Sequence, residues 1–391
     1  MYQDFIEKEF IMIYRDFQGK KLSALGMGTM RLPLLNEEQS NIDVEAVKDM
    51  VAYAFSKGIN YFDTAWGYHG GASETVMGEV LSEYPRDSYF LATKFPGFEK
   101  KLLDKVDEVF EKQLEKCKTD YFDFYLFHNV NEVTINSYLN PEYKIAEYLK
   151  EQKKNGRIHH LGFSTHGTLE TVKRFLDAYG DIIEFCQIQF NYLDWNMQNA
   201  KAKIELCKER NIPVFVMEPI RGGTLAKIDE NNFASLQALR PKASAVEWAF
   251  RFIQSFPDVA VTLSGMSNLD QLEENVKVFE ESKPLNENEM TAILSVADSI
   301  TAKTSLPCTA CRYCTSHCPK GIDIPAIIEL YNDHTFSGGG WLAPMRIKAM
   351  DEENRPSACI SCRACESVCP QNILISKMMA EFTEKLSKKQ Q

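Results

Sequence analysis

Strand-like and helix-like segments alternate along the first three quarters of this chain, with a regularity that few folds accommodate. Short apolar or β-branched runs occupy 22–30 (LSALGMGTM), 60–65 (NYFDTA), 89–95 (YFLATKF), 121–129 (YFDFYLFHN), 159–165 (HHLGFST), 185–191 (FCQIQFN), 212–219 (IPVFVMEP) and 259–265 (VAVTLSG). Segments with a helical apolar period lie between and after them, at about 43–57, 73–83, 101–117, 141–154, 168–179, 198–210, 242–255 and 269–280. Strand–helix units in this number, over about 260 residues, have the size and order of a closed (β/α)8 barrel of the TIM type. An open doubly wound sheet usually has fewer units and carries a G-x-G-x-x-G turn after its first strand, which this chain lacks. Segment 10–24 (FIMIYRDFQGKKLSA) reads as a hairpin turning at Gln18-Gly19, placed to plug the bottom of the barrel. The expected organisation is an α/β barrel over 1–283, a linking helix over 284–300, and a small, mostly helical C-terminal domain over 301–391.

The small domain is defined by one cysteine pattern that occurs twice. Cys308, Cys311, Cys314 and Cys318-Pro319 read C-x2-C-x2-C-x3-C-P, and Cys359, Cys362, Cys365 and Cys369-Pro370 repeat it without a change in spacing. Three thiolates two residues apart let one short loop grip three corners of a metal–sulfur cubane. Structural zinc usually takes its ligands as two pairs rather than two runs of four, and disulfides need an oxidising compartment. The pattern resembles bacterial two-cluster ferredoxins, in which the Cys before Pro reaches the other cluster. That resemblance implies two 4Fe–4S clusters, one on Cys308, Cys311, Cys314 and Cys369, the other on Cys359, Cys362, Cys365 and Cys318. The helical stretch 324–333 (IPAIIELYND) and the expected helix in 371–388 fit the helical type of such a domain. Cys117, Cys186 and Cys207 lie in periodic segments and read as small core residues.

Composition narrows the setting. Net charge is −11 with a pI of about 5.3, and no basic run suggests nucleic acid or an anionic membrane surface. The apolar runs fall far short of a membrane span, and the first residues, MYQDFIEKEF, are acidic where a secretory signal needs a basic flank. The expectation is a cytoplasmic, reducing and oxygen-averse setting. Oligomeric state is not legible.

Four polar residues fall at or just beyond the carboxyl ends of consecutive strands, which converge on one mouth in a barrel. Asp63 ends the second strand, Tyr68 follows in its loop, Lys94 ends the third and His128 the fourth. Here the chain resembles the aldo-keto reductases, through Gly58-INYFDTAWGY ending at Tyr68 with Glu74 after it, LATK ending at Lys94 and FYLFH ending at His128. The resemblance covers roughly 10–280 and implies a barrel, an extended nicotinamide cofactor across the mouth, and reduction of a carbonyl or the reverse oxidation of an alcohol. Tyr68 would donate the proton. Lys94 would favour the phenolate and lower its pKa, Asp63 would hold Lys94, and His128 would orient the substrate oxygen.

The resemblance also implies cofactor contacts. Thr29, Met30, Asp63, Ser164 and Gln187 would face the nicotinamide. Met217 stands where the family usually stacks an aromatic ring. Pro219, Ile220, Arg221 and Gly222 match the pyrophosphate loop, with Arg221 able to supply a cation. Gly265, Ser267, Gln271 and Asn275, with Glu274, match the adenosine site. Family members that select NADPH have basic residues near 265 and 271, and Gly265 and Gln271 stand here, so NADH is favoured. Trp66 and Tyr61, with apolar residues in 130–140 and 331–345, are candidates for the wall of the substrate pocket.

The two halves carry different electron counts, since a cluster moves one electron and a nicotinamide two as hydride. No flavin motif that would couple them is visible, and a flavin is left open. Three readings follow. The clusters exchange electrons with a ferredoxin-type partner, or they are structural beside an ordinary carbonyl reductase, or the barrel is a non-catalytic redox-responsive binding module. The tetrad argues against the last.

Overall fold

The computed structural model describes residues 12–302 and 305–388. A hairpin opens it, β1 (Tyr14–Phe17) pairing antiparallel with β2 (Lys20–Ser23). Its turn is Gln18 and Gly19, at φ 51° and 80°, the doubly left-handed geometry that suits the twist of a two-residue hairpin. The eight runs then form parallel strands: β3 (Leu25–Gly28), β4 (Tyr61–Asp63), β5 (Phe90–Phe95), β6 (Phe122–Val130), β7 (Ile158–Thr165), β8 (Phe185–Gln189), β9 (Val214–Met217) and β10 (Val259–Gly265). They close in the order β10-β3-β4-β5-β6-β7-β8-β9. The run at 22–30 divides between hairpin and barrel, because Ser23 pairs back to Tyr14 while Leu25 pairs with Thr262.

The strands are apolar on both faces because helices cover the outside and side chains fill the inside. Phe17 and Leu22 of the hairpin are buried among Tyr61, Phe124, Phe185, Phe215 and Val261, with the Phe17 ring 5.3 Å from Phe124 and 5.6 Å from Phe215. The hairpin therefore seals the end of the barrel where the strands begin, as its position in the sequence suggested. The described part of that segment begins at Met12, so Phe10 and Ile11 lie outside the described residues. Tyr61 belongs to this plug. The expectation that it walls a substrate pocket is wrong, because it stands at the first position of β4, at the end opposite to Asp63.

The long connections contain structure of their own. Segment 130–140 holds a short helix (Ile135–Leu139), and 220–241 holds a 3-10 turn (Arg221–Ala226) and a helix (Glu230–Gln237). The chain divides into two compact units meeting between Ile293 and Leu294, inside the helix Glu287–Ala302. Within the second unit, helices Ile324–Phe336, Leu342–Ala349 and Ile375–Lys388 enclose a core that includes Ile324, Ile327, Ile328, Met378, Met379 and Phe382. The middle helix was not expected, since its sequence follows Gly338-Gly339-Gly340 and reads as a turn. No helix among the described residues is long and apolar enough to cross a membrane.

Because Phe17 fills the closed end, Phe17→Ala should cost about 3 kcal/mol of barrel stability. Denaturant unfolding followed by the tryptophans measures this, and a loss below about 1 kcal/mol would contradict the plug.

Candidate functional site

Strand register brings the predicted tetrad to one end of the barrel. Asp63 pairs with Ala92, and Lys94 pairs with Leu126, so the carboxyl ends of β4, β5 and β6 lie side by side. Lys94 is fully buried, and its Nζ donates to Asp63 Oδ1 at 2.6 Å and to the Thr64 carbonyl at 2.7 Å. The same ammonium lies 4.9 Å from the Tyr68 ring centroid. Burial works against the charge of Lys94, but Asp63 and Tyr68 together hold its pKa above the ordinary lysine value.

Tyr68 departs from expectation. Burial of its hydroxyl pushes its pKa above the ordinary 10, and Lys94, by charge and hydrogen bonding, pulls it only part of the way back. Lys94 does favour the phenolate, as the sequence suggested, but desolvation outweighs it and the phenol stays protonated. Tyr68 is nonetheless only half-buried as a whole residue.

His128 is aimed by an irregularity. The β6–β7 register shifts between Phe127 and Val130, and Asn129 sits at φ 56°, a bulge that re-aims side chains next to sites. The His128 ring meets Tyr68 edge-on at 5.9 Å and Phe98 at 5.3 Å. Burial, then Lys94 and His166, holds its pKa well below 6.5, so the imidazole is neutral. Its Nδ1 and Asp63 Oδ2 are buried without a hydrogen-bond partner. Phe98 is 39% exposed against His128 and is the aromatic the sequence reading missed at this mouth.

The predicted cofactor residues divide into those already engaged and those left open. Thr29 Oγ1 is buried and bonded to the Asp63 carbonyl and Ser73, whereas Met30 is exposed. Ser164 accepts from the Asn129 N–H at 2.9 Å. Its register partner Gln187 donates to Met217 Sδ at 3.8 Å and leaves Oε1 buried and unpartnered. Asn275 bonds Ser264, and the Gln271 side chain accepts from the Ser267 N–H.

Arg221 differs from the expectation that it offers a cation. Its Nη1 is paired with Asp194 Oδ1 at 3.1 Å, and Asp194 is fully buried and also takes Gln189 and Asn191. Such a pair is fixed by the cost of uncovering a buried charge. The cation that reaches across the loops is Arg31, which the sequence reading missed. Its stem lies along Gly265, where an added Cβ would come within 3.2 Å of its Cγ, and its guanidinium lies by Gly222 and pairs with Glu218 at 3.0 Å. The absence of a side chain at Gly222 and Gly265 therefore leaves the room that Arg31 takes.

Further residues fasten the site. Glu74 is buried and accepts from Thr93 and Gln113 at 2.7 Å each and from Lys116 at 3.1 Å, and Gln113 also donates to the Lys94 carbonyl. Lys116 Nζ stands 4.1 Å over the Trp66 ring. The Tyr138 hydroxyl donates to the His128 carbonyl at 2.7 Å, lies 3.1 Å from the Phe95 carbonyl, and accepts from the Gly97 N–H at 3.1 Å. Its ring approaches so closely that only Gly fits at position 97.

In the second unit the cysteines of the two runs fall into two groups. Cys308, Cys311, Cys314 and Cys369 line one cavity, and Cys318, Cys359, Cys362 and Cys365 line another. The loops match in backbone as well, with left-handed Ala310 and Arg312 answered by Ser361 and Arg363. Cys117, Cys186 and Cys207 are buried and free.

The model of the aldo/keto reductase family matches residues 24–298, and that of the 4Fe-4S dicluster domain matches 307–374. A probable aldo-keto reductase of Glycine max is 29% identical over 53% of this chain and 58% of its own length. An NADH-specific methylglyoxal reductase of Escherichia coli is 27% identical over 52% of this chain and 65% of its own. The match thus spans less than two thirds of either of these relatives. The uncharacterized oxidoreductase YqkF of Bacillus subtilis is 25% identical over 70% of this chain and 92% of its own length. In structure, aldo-keto reductase AKR11C1 of Bacillus halodurans in its holo form superposes with a TM-score of 0.59 at 25% identity, covering 73% of this chain and 96% of that one. The chain belongs to the aldo/keto reductase family of oxidoreductases and carries a 4Fe-4S dicluster domain after its barrel.

Proposed function

We propose that the barrel catalyses reduction of a small-molecule carbonyl, or the reverse oxidation, with Tyr68 as general acid, and that the two clusters exchange electrons with a ferredoxin-type carrier. The observation that carries the first part is the fully buried Lys94, fixed on Asp63 at 2.6 Å with its charge against Tyr68. When bound, a nicotinamide dinucleotide supplies hydride and the clusters supply one-electron steps. The residues present fit the dinucleotide: the orphaned Gln187 Oε1 is an acceptor for an amide, Met30 offers an exposed apolar contact, and Arg31 lies across Gly222 of the pyrophosphate loop and Gly265 of the adenosine site. Gly265 and Gln271 put no cation of their own at the adenosine side, which supports NADH over NADPH.

As charge develops on the carbonyl oxygen, Tyr68 Oη gives it a proton. Lys94 then compensates the phenolate it leaves behind, and Asp63 keeps Lys94 from moving. A neutral His128 has one N–H to donate to the same oxygen, and Phe98 keeps water from it.

Removing a general acid costs about 10²- to 10⁴-fold, so Tyr68→Phe should lose that much carbonyl reduction while cluster absorbance is unchanged. The pH profile follows from the sign of the shift. A phenol held above 10 is protonated throughout the neutral range, so the reduction rate should be flat from about pH 6 to 9 and fall only in stronger alkali. The oxidation, which needs the phenolate, should rise with pH over that interval. A reduction rate falling near pH 7 to 8 would refute the assignment.

The cavity linings support the exchanged ligand sets. Cys369→Ser should remove the cluster held mainly by the first run, and Cys318→Ser that held by the second. Iron per chain should drop from about eight to about four in each case. Loss of none, or of all eight from both variants with the fold intact, would count against the exchange.

One anaerobic titration tests cofactor and electron transfer together. NADH should bind more tightly than NADPH by nicotinamide fluorescence. Cluster absorbance near 400 nm should bleach with a reduced ferredoxin-type carrier, as Cys311 and Cys362 are exposed. Clusters that no carrier reduces would leave them a structural role.

A further inference from the structure

Tyr68 has no regular element to hold it. It begins a turn in which three consecutive residues are left-handed, His69 at φ 54° and ψ 44°, Gly70 at φ 63° and Gly71 at φ 95°. Glycine takes that conformation freely, but His69 has a Cβ and adopts it at a cost. Its side chain is buried, at 5% exposure, and both ring nitrogens are used. Nε2 lies 3.0 Å from the Leu32 nitrogen and accepts its N–H, and Nδ1 lies 2.9 Å from the Gln39 carbonyl. Since Nε2 accepts, the proton sits on Nδ1, which donates to Gln39 in the neutral tautomer.

Both partners are backbone groups of the irregular segment that follows β3. That segment carries only an isolated bridge, Leu34 to Ile42. It starts with Thr29 and Met30, the residues offered above to the nicotinamide, and Leu32 is itself buried. A donor there with no strand partner has to find an acceptor, and the His69 ring supplies it. On its other side the turn is held by Lys116, which sits over Trp66 and reaches the Gly71 carbonyl at 3.4 Å.

We propose that His69 is a positioning residue for the proton transfer, clipping the Tyr68 turn to the segment Thr29–Leu32 so that the phenol and the hydride-donor face keep a fixed separation. The inference rests on the reading of Tyr68 as the acid. It assigns His69 no contact with substrate. Its effect runs through the placement of Tyr68, where a displacement of about 1 Å can cost on the order of 10²-fold.

The test uses the full-length, cluster-loaded protein with NADH and 4-nitrobenzaldehyde as the probe substrate. His69→Ala should lower kcat about 10- to 100-fold, with KM for the aldehyde and the NADH dissociation constant within about threefold. The solvent deuterium isotope effect on kcat should rise, because proton transfer from a displaced phenol becomes the slow step. His69→Gln, which keeps one donor and one acceptor at similar reach, should recover much of the rate and lower the isotope effect again. If His69→Ala folds poorly, His69→Gln and His69→Asn read the same quantities in folded protein. A purely structural role would lower the melting temperature and leave kcat per folded molecule and the isotope effect unchanged, and that result overturns the proposal. Undiminished turnover in Tyr68→Phe would instead remove the reading beneath it, whereas an inactive Tyr68→Phe beside an unaffected His69→Ala removes the His69 proposal alone.

Discussion

The ion pair between Lys94 and Asp63 is the constraint around which the barrel mouth is organised. An ammonium with no exposed surface survives only where a carboxylate and further acceptors replace its water, and the Thr64 carbonyl and Asp63 Oδ1 do so here. Leaving either partner alone would cost about 3–5 kcal/mol, yet a well-packed apolar pair would serve stability as well. The pair is therefore poor evidence of stabilisation and good evidence of use. What it provides at this place is a fixed positive charge beside a phenol.

The surroundings read as a set of tethers that keep the charge and the phenol in register. Gln113 bonds the Lys94 carbonyl and is itself held by Glu74 and Tyr125. Tyr138 ties the end of β5 to the end of β6 by accepting from the Gly97 N–H and donating to the His128 carbonyl. Lys116 and His69 hold the Tyr68 turn from two directions. Each tether ends on backbone or on a buried group, so the loops around the mouth gain order without losing the polar atoms left open at Gln187, Asp63 and His128.

What was legible in the sequence follows from how each signal is encoded. Periodicity is local, so the eight strands and their helices were readable, as was the Gln18-Gly19 turn. The tetrad was readable because three members fall at or near strand ends, Tyr68 follows one of them in its loop, and the barrel rule brings those ends together. The cysteine runs encode their chemistry in spacing alone. Arg31, Tyr138 and His69 were invisible because their partners lie far along the chain, a carboxylate for Arg31 and backbone groups for the other two, and no residue pattern announces such a bond. Arg221 was misjudged for the same reason. Its partner Asp194 opens a short helix after β8, and only the fold reveals that the two are paired. The shift of Tyr68 was misjudged because Lys94 is visible in sequence and desolvation is not.

The two units also depend on different sources of order. The barrel buries a large aromatic interior, whereas the second unit has a modest core in which Cys314 and Cys365 are themselves members. Burial raises the thiols of Cys308 and Cys314, and that of Cys365 to about 11, so near neutral pH these groups favour their protons. Iron must displace those protons to bind, and the free energy of ligation becomes folding free energy for loops that otherwise hold left-handed Ala310, Arg312, Ser361 and Arg363 without glycine. Because each cavity is lined by cysteines from both runs, neither loop can complete a ligand set alone. Ligation at either cavity would therefore draw on both runs and order residues from each half of the unit.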